Sequence, residues 1–312
     1  MSKPLISVVI PLFNKENFIE DTLKSVITQD YEDIEIVLLD DGSTDEGYEI
    51  ALIVLKNNQA RFKRVITISR ENRGMTFTKN EGIQLGIGSY IAFLDADDLW
   101  HPNKISKQVD FLEKHPEIDL VLCNYVMLYQ HKSRCVNLTP VKRKVNHWLK
   151  LTGYGGLLES TGLAKRSTLI ELGGFNSNLE MFAALDMAYA LSEKNRVGCV
   201  PEYLCGYRVL ASGWHNNKQD LVNSFKYLQL GMPTYLPVIC EVGINLQIYL
   251  SLWKVRTERT LNDWLDLLFI TKKYPLFAIK FIILTLNRVC IAQFNTIINW
   301  RKVREFQKLV LK

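Results

Sequence analysis

Through its first hundred residues the chain alternates short continuous apolar runs with polar segments that carry apolar residues at helical spacing. That rhythm is the mark of a parallel sheet built from strand-helix-strand units. Ile6–Leu12 reads as a first strand. Residues 16–29 follow as a helix, because Ile19, Leu23, Val26 and Ile27 stand at i, i+4, i+7 and i+8 and so share one buried stripe. A second strand over residues 34–39 is interrupted only by Glu35, and the loop Asp40-Asp41-Gly42-Ser43-Thr44-Asp45 hands over to a helix near 46–57. Residues 65–68, 76–85 and 90–94 then read as strand, helix and strand, which completes β-α-β-α-β-α-β.

Beyond Trp100 the pattern loosens. It predicts a helix over 103–114, a long strand over 119–129 and a helix over 182–194, with a basic stretch at Lys142, Arg143 and Lys144 and a glycine-rich turn at 153–156 between them. From Val238 onward the composition shifts to long helical stretches rich in Leu, Ile, Phe and Trp. Lys280 and Arg288 interrupt the most apolar of these, so no window reaches the ~20 apolar residues that a spanning helix needs. The expected organisation is a domain over residues 1–237, its donor half about 1–100 and its acceptor half about 101–237, followed by a basic, apolar helical extension over 238–312. That extension suits either a membrane surface or a helical subdomain that closes a homodimer.

Charge sharpens the division. Residues 251–312 carry 12 Lys/Arg and 4 Asp/Glu, a balance of +8 in a chain of net charge +5, so the rest is mildly acidic at −3. A basic tail fits an anionic partner, and no nucleic-acid-binding motif accompanies it. The six cysteines are scattered with no CxxC pair, which fits a reduced, cytoplasmic chain. The N-terminus reads as a strand rather than a signal peptide.

The candidate chemistry sits at strand ends. The run Ser89-Tyr90-Ile91-Ala92-Phe93-Leu94-Asp95-Ala96-Asp97-Asp98 discharges a buried strand into three carboxylates. Such an arrangement makes sense where acids meet a hard divalent cation and a phosphorylated ligand, since these cations take oxygen ligands and bridge to phosphates. In open α/β sheets ligands bind outside the carboxyl ends of the strands. Four loops should therefore converge: Pro11-Leu12-Phe13-Asn14, residues 40–45, Asn72-Arg73-Gly74 with the helix start bearing Lys79, and Asp95-Ala96-Asp97-Asp98. Their inventory of carboxylates, an aromatic ring, a cation and free backbone groups suits a nucleoside diphosphate.

Five motifs, V-V-I-P-L-F-N, L-L-D-D-G-S-T-D, E-N-R-G-M-T-F-T-K-N-E-G-I, G-S-Y-I-A-F-L-D-A-D-D-L-W-H-P and L-G-G-F, appear in an order and spacing that resembles a family-2 glycosyltransferase over about residues 5–210. The resemblance implies a GT-A-type, Rossmann-like nucleotide-binding sheet with a mixed acceptor-side region. It further implies a nucleotide-sugar donor, usually a UDP-sugar, Mn²⁺ or Mg²⁺, and inverting transfer of a hexosyl or N-acetylhexosaminyl group to a glycan or glycolipid hydroxyl. Surface polysaccharide synthesis at the cytoplasmic face of a bacterial inner membrane would fit. By the same resemblance Pro11, Phe13, Asn14 and Glu16 line the base and ribose pocket, Asp41 accepts from the uracil N–H, and Asn72, Gly74 and Lys79 complete the donor site. Asp40 is structural. Asp95 contacts ribose and metal, and Asp97 holds the metal at the diphosphate. Asp98 reads as a helix N-cap.

Loss of the sugar–diphosphate bond puts negative charge on the leaving group, which a bound cation stabilises. The acceptor hydroxyl needs a base, a contribution of about 10²- to 10⁴-fold. Asp186 is the candidate, 12 residues past Gly174-Phe175 and amid apolar neighbours that would raise its pKa; Glu180 is the alternative. The pattern departs from the family at Leu185, where Glu is common, and at Leu210, where a metal-binding His is often seen, although His215 lies five residues on. Those departures keep open a catalytically inactive sugar-nucleotide-binding partner protein. A nucleotidyltransferase is the third reading, disfavoured by the absence of glycine in Pro11-Leu12-Phe13-Asn14.

Overall fold

The computed structural model describes residues 3–129, 133–136, 159–177 and 196–210, together with 183, 187 and 191, all within the first of two units into which the chain divides. The expected parallel half is present. Strands β1 (Ile6–Leu12), β2 (Ile34–Asp40), β3 (Arg64–Ser69) and β4 (Tyr90–Phe93) run parallel in the order β3-β2-β1-β4. Helices α1 (Ile19–Ile27), α2 (Gly47–Asn57) and α3 (Met75–Leu85) connect them. Every residue of β1 and β2 is buried, as strands covered on both faces must be.

The strand order reverses between β1 and β4, and that is where the carboxyl ends open a crevice. Phe93 is level with Val9, so β1 runs on to Leu12 beside the turn that follows β4. The remaining strands extend the sheet beyond β4. They are β5 (Leu99–Trp100), β6 (Leu120–Leu128), β7 (Ser133–Val136), β8 (Leu163–Lys165) and β9 (Val197–Arg208), in the path β4-β8-β6-β9-β5 with β7 on β6. Helices α4 (Lys104–Lys114) and α5 (Arg166–Glu171) pack on this mixed half.

The buried stripe of α1 contains Ile19, Leu23 and Val26 as expected, but it also buries Thr22 and Ser25, and Gln29 just beyond the helix is buried too. These three polar side chains stitch the segment after β4 in place. The Thr22 hydroxyl lies 2.9 Å from the carbonyls of both Ala96 and Asp98. Ser25 Oγ accepts from the Trp100 N–H at 3.1 Å, and Gln29 donates to the His101 carbonyl and accepts from the Ile105 N–H. The acid-rich turn is thus fixed from below by a helix more than seventy residues away in sequence. Asp98 lies in that turn just ahead of β5, while α4 begins at Lys104 behind Asn103, so the N-cap reading of Asp98 is corrected: no helix starts there for it to cap.

Glu35, the one charge inside β2, is fully buried and holds the turn between α3 and β4. Its Oε1 accepts from the Ser7 hydroxyl and from the N–H groups of Ile87 (2.6 Å) and Gly88 (3.1 Å), and Arg64 approaches Oε2 at 3.4 Å. On the mixed side the fully buried Lys104 plays the same role. Its ammonium donates to Gln108 at 2.7 Å and the Gly162 carbonyl at 3.3 Å and lies 4.2 Å from the Trp100 ring centroid. Gln108 in turn donates to the carbonyls of Val121 and Thr161, and the Trp100 indole donates to the Ser160 carbonyl at 2.8 Å. Together they pin residues 159–162 against the end of β4.

Residues 183, 187 and 191 are helical and buried, as the expected helix over 182–194 requires of its inner face; its remaining residues lie outside the described ones. The basic stretch 142–144, the turn 153–156, and the extension over 238–312 also lie outside them. Among the described residues no helix is long and apolar enough to cross a membrane, and Cys123, Cys199 and Cys205 are buried thiols outside any disulfide.

Two stability measurements test these anchors. Glu35→Ala should cost about 2–4 kcal/mol in denaturant unfolding because it strands two backbone donors and a hydroxyl, and Glu35→Gln, which keeps an acceptor, should cost less; an unchanged midpoint for Glu35→Ala would refute the anchor. Burial lowers the pKa of Lys104 from 10.5 to about 8. Between those pH values the unfolded chain holds a proton that the folded chain has released, so this group makes stability rise with pH. The stability of wild type relative to Lys104→Met should therefore rise from pH 8 to pH 10.5, by on the order of 1–3 kcal/mol. A constant gap would mean that the ammonium keeps its ordinary pKa.

Candidate active site

The β1 loop and the β2 loop are clamped to each other. Asn14, in the left-handed region at φ 50°, accepts from the Thr44 N–H at 2.8 Å while its own N–H donates to Ser43 Oγ at 3.0 Å. Glu16 repeats the exchange, its N–H donating to Asp45 at 2.9 Å and its carboxylate accepting from the Glu46 N–H at 3.2 Å. Pro11 is buried within β1 opposite Leu39, whereas the Phe13 ring is 45% exposed at the mouth of the crevice.

Asp40 and Asp41 divide their work. Asp40 accepts from the Ser43 N–H and the Ser69 hydroxyl, a purely structural placement. Asp41 Oδ1 accepts from the Arg73 N–H at 2.9 Å and from Arg70, and Oδ2 accepts from the Gly74 N–H at 3.0 Å. The carboxylate thereby shapes the 70–74 loop and keeps spare acceptor capacity on Oδ2. Arg70 is itself held by Glu81 and Thr78. Gly42 (φ +78°) passes so near this loop that a Cβ would stand 2.9 Å from the Asn72 nitrogen, so only glycine serves there. Asn72 accepts from the Gly74 N–H at 3.2 Å, and Gly74 (φ +90°) precedes α3.

Asp95, Asp97 and Asp98 follow β4 on one turn, and each has a cation or donor of its own. Lys79, only 4% exposed, ion-pairs with Glu159 and lies 3.5 Å from Asp95 Oδ1. Lys15 Nζ meets Asp97 Oδ2 at 2.7 Å. Arg208 donates to the Asp97 carbonyl at 3.2 Å and to Asp21 at 2.8 Å, and its own N–H donates to Asp98 Oδ1 at 3.2 Å. Ser160 Oγ accepts from the Asp95 N–H at 3.1 Å. Burial, reinforced by Asp95 and Asp97, pushes the fully buried Asp98 carboxyl well above the usual carboxylate range, so it resists ionisation. Burial and the same three acids raise the Tyr207 phenol, which therefore remains a proton donor.

These oxygens fit a hard divalent cation. Asp95 Oδ1 is buried with no hydrogen-bond donor among the described residues, and Asp97 follows two residues on in the same turn. No cluster of three or more metal-ligating side chains occurs among the described residues, so two carboxylates would share the ion with phosphate and water oxygens, the usual manner for Mg²⁺ and Mn²⁺.

The structure brings Pro11, Phe13, Asn14, Glu16, Asp41, Asn72, Gly74, Lys79, Asp95 and Asp97 to the carboxyl edge of the parallel half. Asp186, Glu180 and His215 lie outside the described residues. Three members of the cluster have no counterpart in the sequence reading: Lys15, Glu159 and Arg70. Lys79 faces Asp95 and Glu159 with its ammonium buried, which is a different setting from an open contact with a base. The motif L-G-G-F joins the site through Asn80, whose amide donates to the Phe175 carbonyl at 2.8 Å and accepts from its N–H at 2.7 Å. Next to it a small, partly open apolar cavity of about 40 Å³ is lined by Phe93, Leu122, Phe175 and Met187, with Glu159 also in its wall.

The fold is that of GT-A glycosyltransferases. Staphylococcus aureus TarS in complex with UDP-GlcNAc matches with a TM-score of 0.60 over 85% of this chain and 79% of that one, at 16% identity. A mannosyltransferase of Pyrobaculum calidifontis in complex with GDP-Man and Mn²⁺ matches with a TM-score of 0.59 over 100% and 87%, at 19% identity. An uncharacterized glycosyltransferase of Rickettsia prowazekii is 34% identical over 233 residues, 73% of this chain and 71% of that protein. One of Rickettsia conorii is 41% identical over 110 residues, 35% of this chain but only 17% of that protein's length. The putative teichuronic acid biosynthesis glycosyltransferase TuaG of Bacillus subtilis is 36% identical over 111 residues, 35% of this chain and 42% of TuaG. With the family model for glycosyl transferase family 2 matching residues 7–149, and the Rickettsia prowazekii relative covered over most of its length, the chain belongs to glycosyl transferase family 2.

Proposed function

We propose that the protein transfers a hexosyl or N-acetylhexosaminyl group from a UDP-sugar to a hydroxyl of a cell-surface polysaccharide or glycolipid precursor, with inversion and with Mn²⁺ or Mg²⁺ bound. The observation that carries this reading is the pair Asp95 and Asp97 at the carboxyl end of β4, beside the clamped loops of β1 and β2 and at the reversal of strand order. The fold relatives lend support, since TarS was solved with UDP-GlcNAc and the mannosyltransferase with GDP-Man and Mn²⁺. TuaG's name supports a surface-polysaccharide acceptor.

In this reading Phe13 covers the base, and Asp41 offers the free acceptor capacity of Oδ2 to a ring N–H. Asp95 and Asp97 hold the cation, whose chemistry is to neutralise charge that develops on the departing diphosphate. The loops of β1 and β2, locked by Asn14 and Glu16, present the donor in one orientation, an advantage because misplacement of reacting atoms is costly. Glu159 orients Lys79, which places its ammonium opposite Asp95 beside the ribose. Asp186 takes the acceptor proton. The basic, apolar segment 238–312 brings the enzyme to the cytoplasmic membrane face, where a lipid-linked acceptor would be presented.

Purified protein with Mn²⁺ should release UDP from one member of a UDP-sugar panel, and EDTA should stop it. Asp97→Ala should lower turnover at least about a hundredfold. Release from GDP-mannose alone would replace the UDP assignment, and binding of UDP in calorimetry without turnover on any donor would replace transfer by a binding role. Full-length protein should float with anionic liposomes and not with neutral ones; equal recovery would refute the membrane role of the basic segment.

A further inference from the structure

The carboxylate assigned to the cation already has a cation. Lys15 Nζ lies 2.7 Å from Asp97 Oδ2, with both side chains partly exposed at 28% and 18%. The two residues come from opposite sides of the crevice, Lys15 from the loop after β1 and Asp97 from the turn after β4, so the ion pair bridges the mouth through which a diphosphate would enter. Lys79, beside Asp95, is different: it is buried and tied to Glu159 as well. Lys15 has Asp97 as its ion partner and room to leave it.

Its main chain, however, cannot move. Asn14 on one side is fastened to Ser43 and Thr44, and Glu16 on the other is fastened to Asp45 and Glu46. The Lys15 carbonyl accepts from the N–H groups of Phe18 and Ile19, at 2.9 and 3.0 Å. Asp97 is restrained in turn by Arg208 on its carbonyl. What remains mobile is the four-carbon stem of one lysine, which swings an ammonium about a fixed Cα. A lysine suits that task because its charge is a compact point on a flexible stem.

Charge balance sets the direction of the swing. Lys79 is shared between Asp95 and Glu159, and Arg208 pairs with Asp21, so Lys15 is the cation that meets the Asp97 carboxylate, and a divalent cation entering alone would have to displace it. A nucleoside diphosphate removes that obstacle, since its phosphate oxygens give the displaced ammonium a new partner and complete the coordination of the metal. We propose that Lys15 is an internal counter-ion for the metal carboxylate: it occupies Asp97 in the donor-free protein, transfers to the donor diphosphate when the cation binds, and so makes cation binding conditional on the nucleotide. This rests on the metal-dependent reading above and adds to it a residue that couples the two ligands. Coupling of this kind is reciprocal, so the cation must strengthen nucleotide binding by the same factor.

The test is a Mn²⁺ titration of the full-length protein, with free Mn²⁺ read by its electron paramagnetic resonance signal, without nucleotide and with UDP or GDP, each against a protein-free control for Mn²⁺ bound by the nucleotide itself. Wild type should bind Mn²⁺ weakly alone and more tightly with nucleotide. Lys15→Met, which keeps the stem and drops the charge, should bind Mn²⁺ without nucleotide up to about fivefold more tightly, the scale of one partly exposed ion pair, and should lose most of the coupling. Lys15→Arg, which restores a positive charge, should bring nucleotide-free Mn²⁺ affinity back toward wild type, and thermal melts of both variants report that they are folded. Equal nucleotide-free affinities in wild type and Lys15→Met, with Asp97→Ala abolishing nucleotide-dependent Mn²⁺ binding, would overturn the role of Lys15 and leave the metal site standing. Mn²⁺ binding unaltered by Asp97→Ala would overturn the metal assignment, and this inference with it.

Discussion

Three carboxylates on one turn at the end of a buried strand repel one another and lose hydration, and the surrounding structure is organised to offset that cost. Asp97 is given Lys15, Asp95 is given Lys79, and Asp98 is driven toward its neutral form by burial and by the other two acids. The fully buried acid is kept from ionising, while the two partly exposed ones each face a lysine, Asp95 a buried one and Asp97 a partly exposed one. That division leaves carboxylates where a cation and a diphosphate can reach them and suppresses charge where they cannot.

Such a turn also needs a rigid frame, because like charges relax by moving apart. Two independent sets of buried polar groups prevent it. From the parallel half, Thr22, Ser25 and Gln29 of the α1 region bond to backbone groups between Ala96 and Ile105. From the mixed half, Trp100, Lys104 and Gln108 hold the carbonyls of Ser160, Thr161 and Gly162, which keeps Ser160 and Glu159 against Asp95 and Lys79. A buried polar network is costly unless every member is satisfied. Here the members satisfy one another across the boundary between the two halves of the sheet, so the site and the junction are stabilised by the same bonds.

Local patterning made the parallel half legible. Continuous apolar runs became β1 and β2 with every residue buried, and the spacing of Ile19, Leu23 and Val26 became the inner face of α1. The mixed half was less so for physical reasons. β5 and β8 are two and three residues long and carry no periodicity, and β9 is interrupted by exposed Pro201 and Glu202. Helical spacing also marks a buried face without saying why Thr22 and Ser25 lie on it; their partners there are backbone groups more than seventy residues away. Asp98 was misread for a related reason. Capping preference is a local property, whereas its true setting depends on burial beneath β9 and on Arg208, 110 residues distant.

Pairings between distant charges were the least legible part of the site. Single acids stand out at a strand end, but Lys15 and Glu159 look like ordinary surface charges in sequence, one in a polar loop and the other in a region of weak pattern. Only the strand order brings them to Asp97 and Lys79. The reversal between β1 and β4 sets the loop after β1 opposite the turn after β4, and the antiparallel entry of β8 beside β4 delivers residues 159–162 to the same edge. An ammonium from one strand end and a carboxylate from the next are then held a hydrogen bond apart across the crevice, and a diphosphate entering there meets a cation ready to change partners. The topology that opens a crevice for a ligand therefore also fixes which charges guard it.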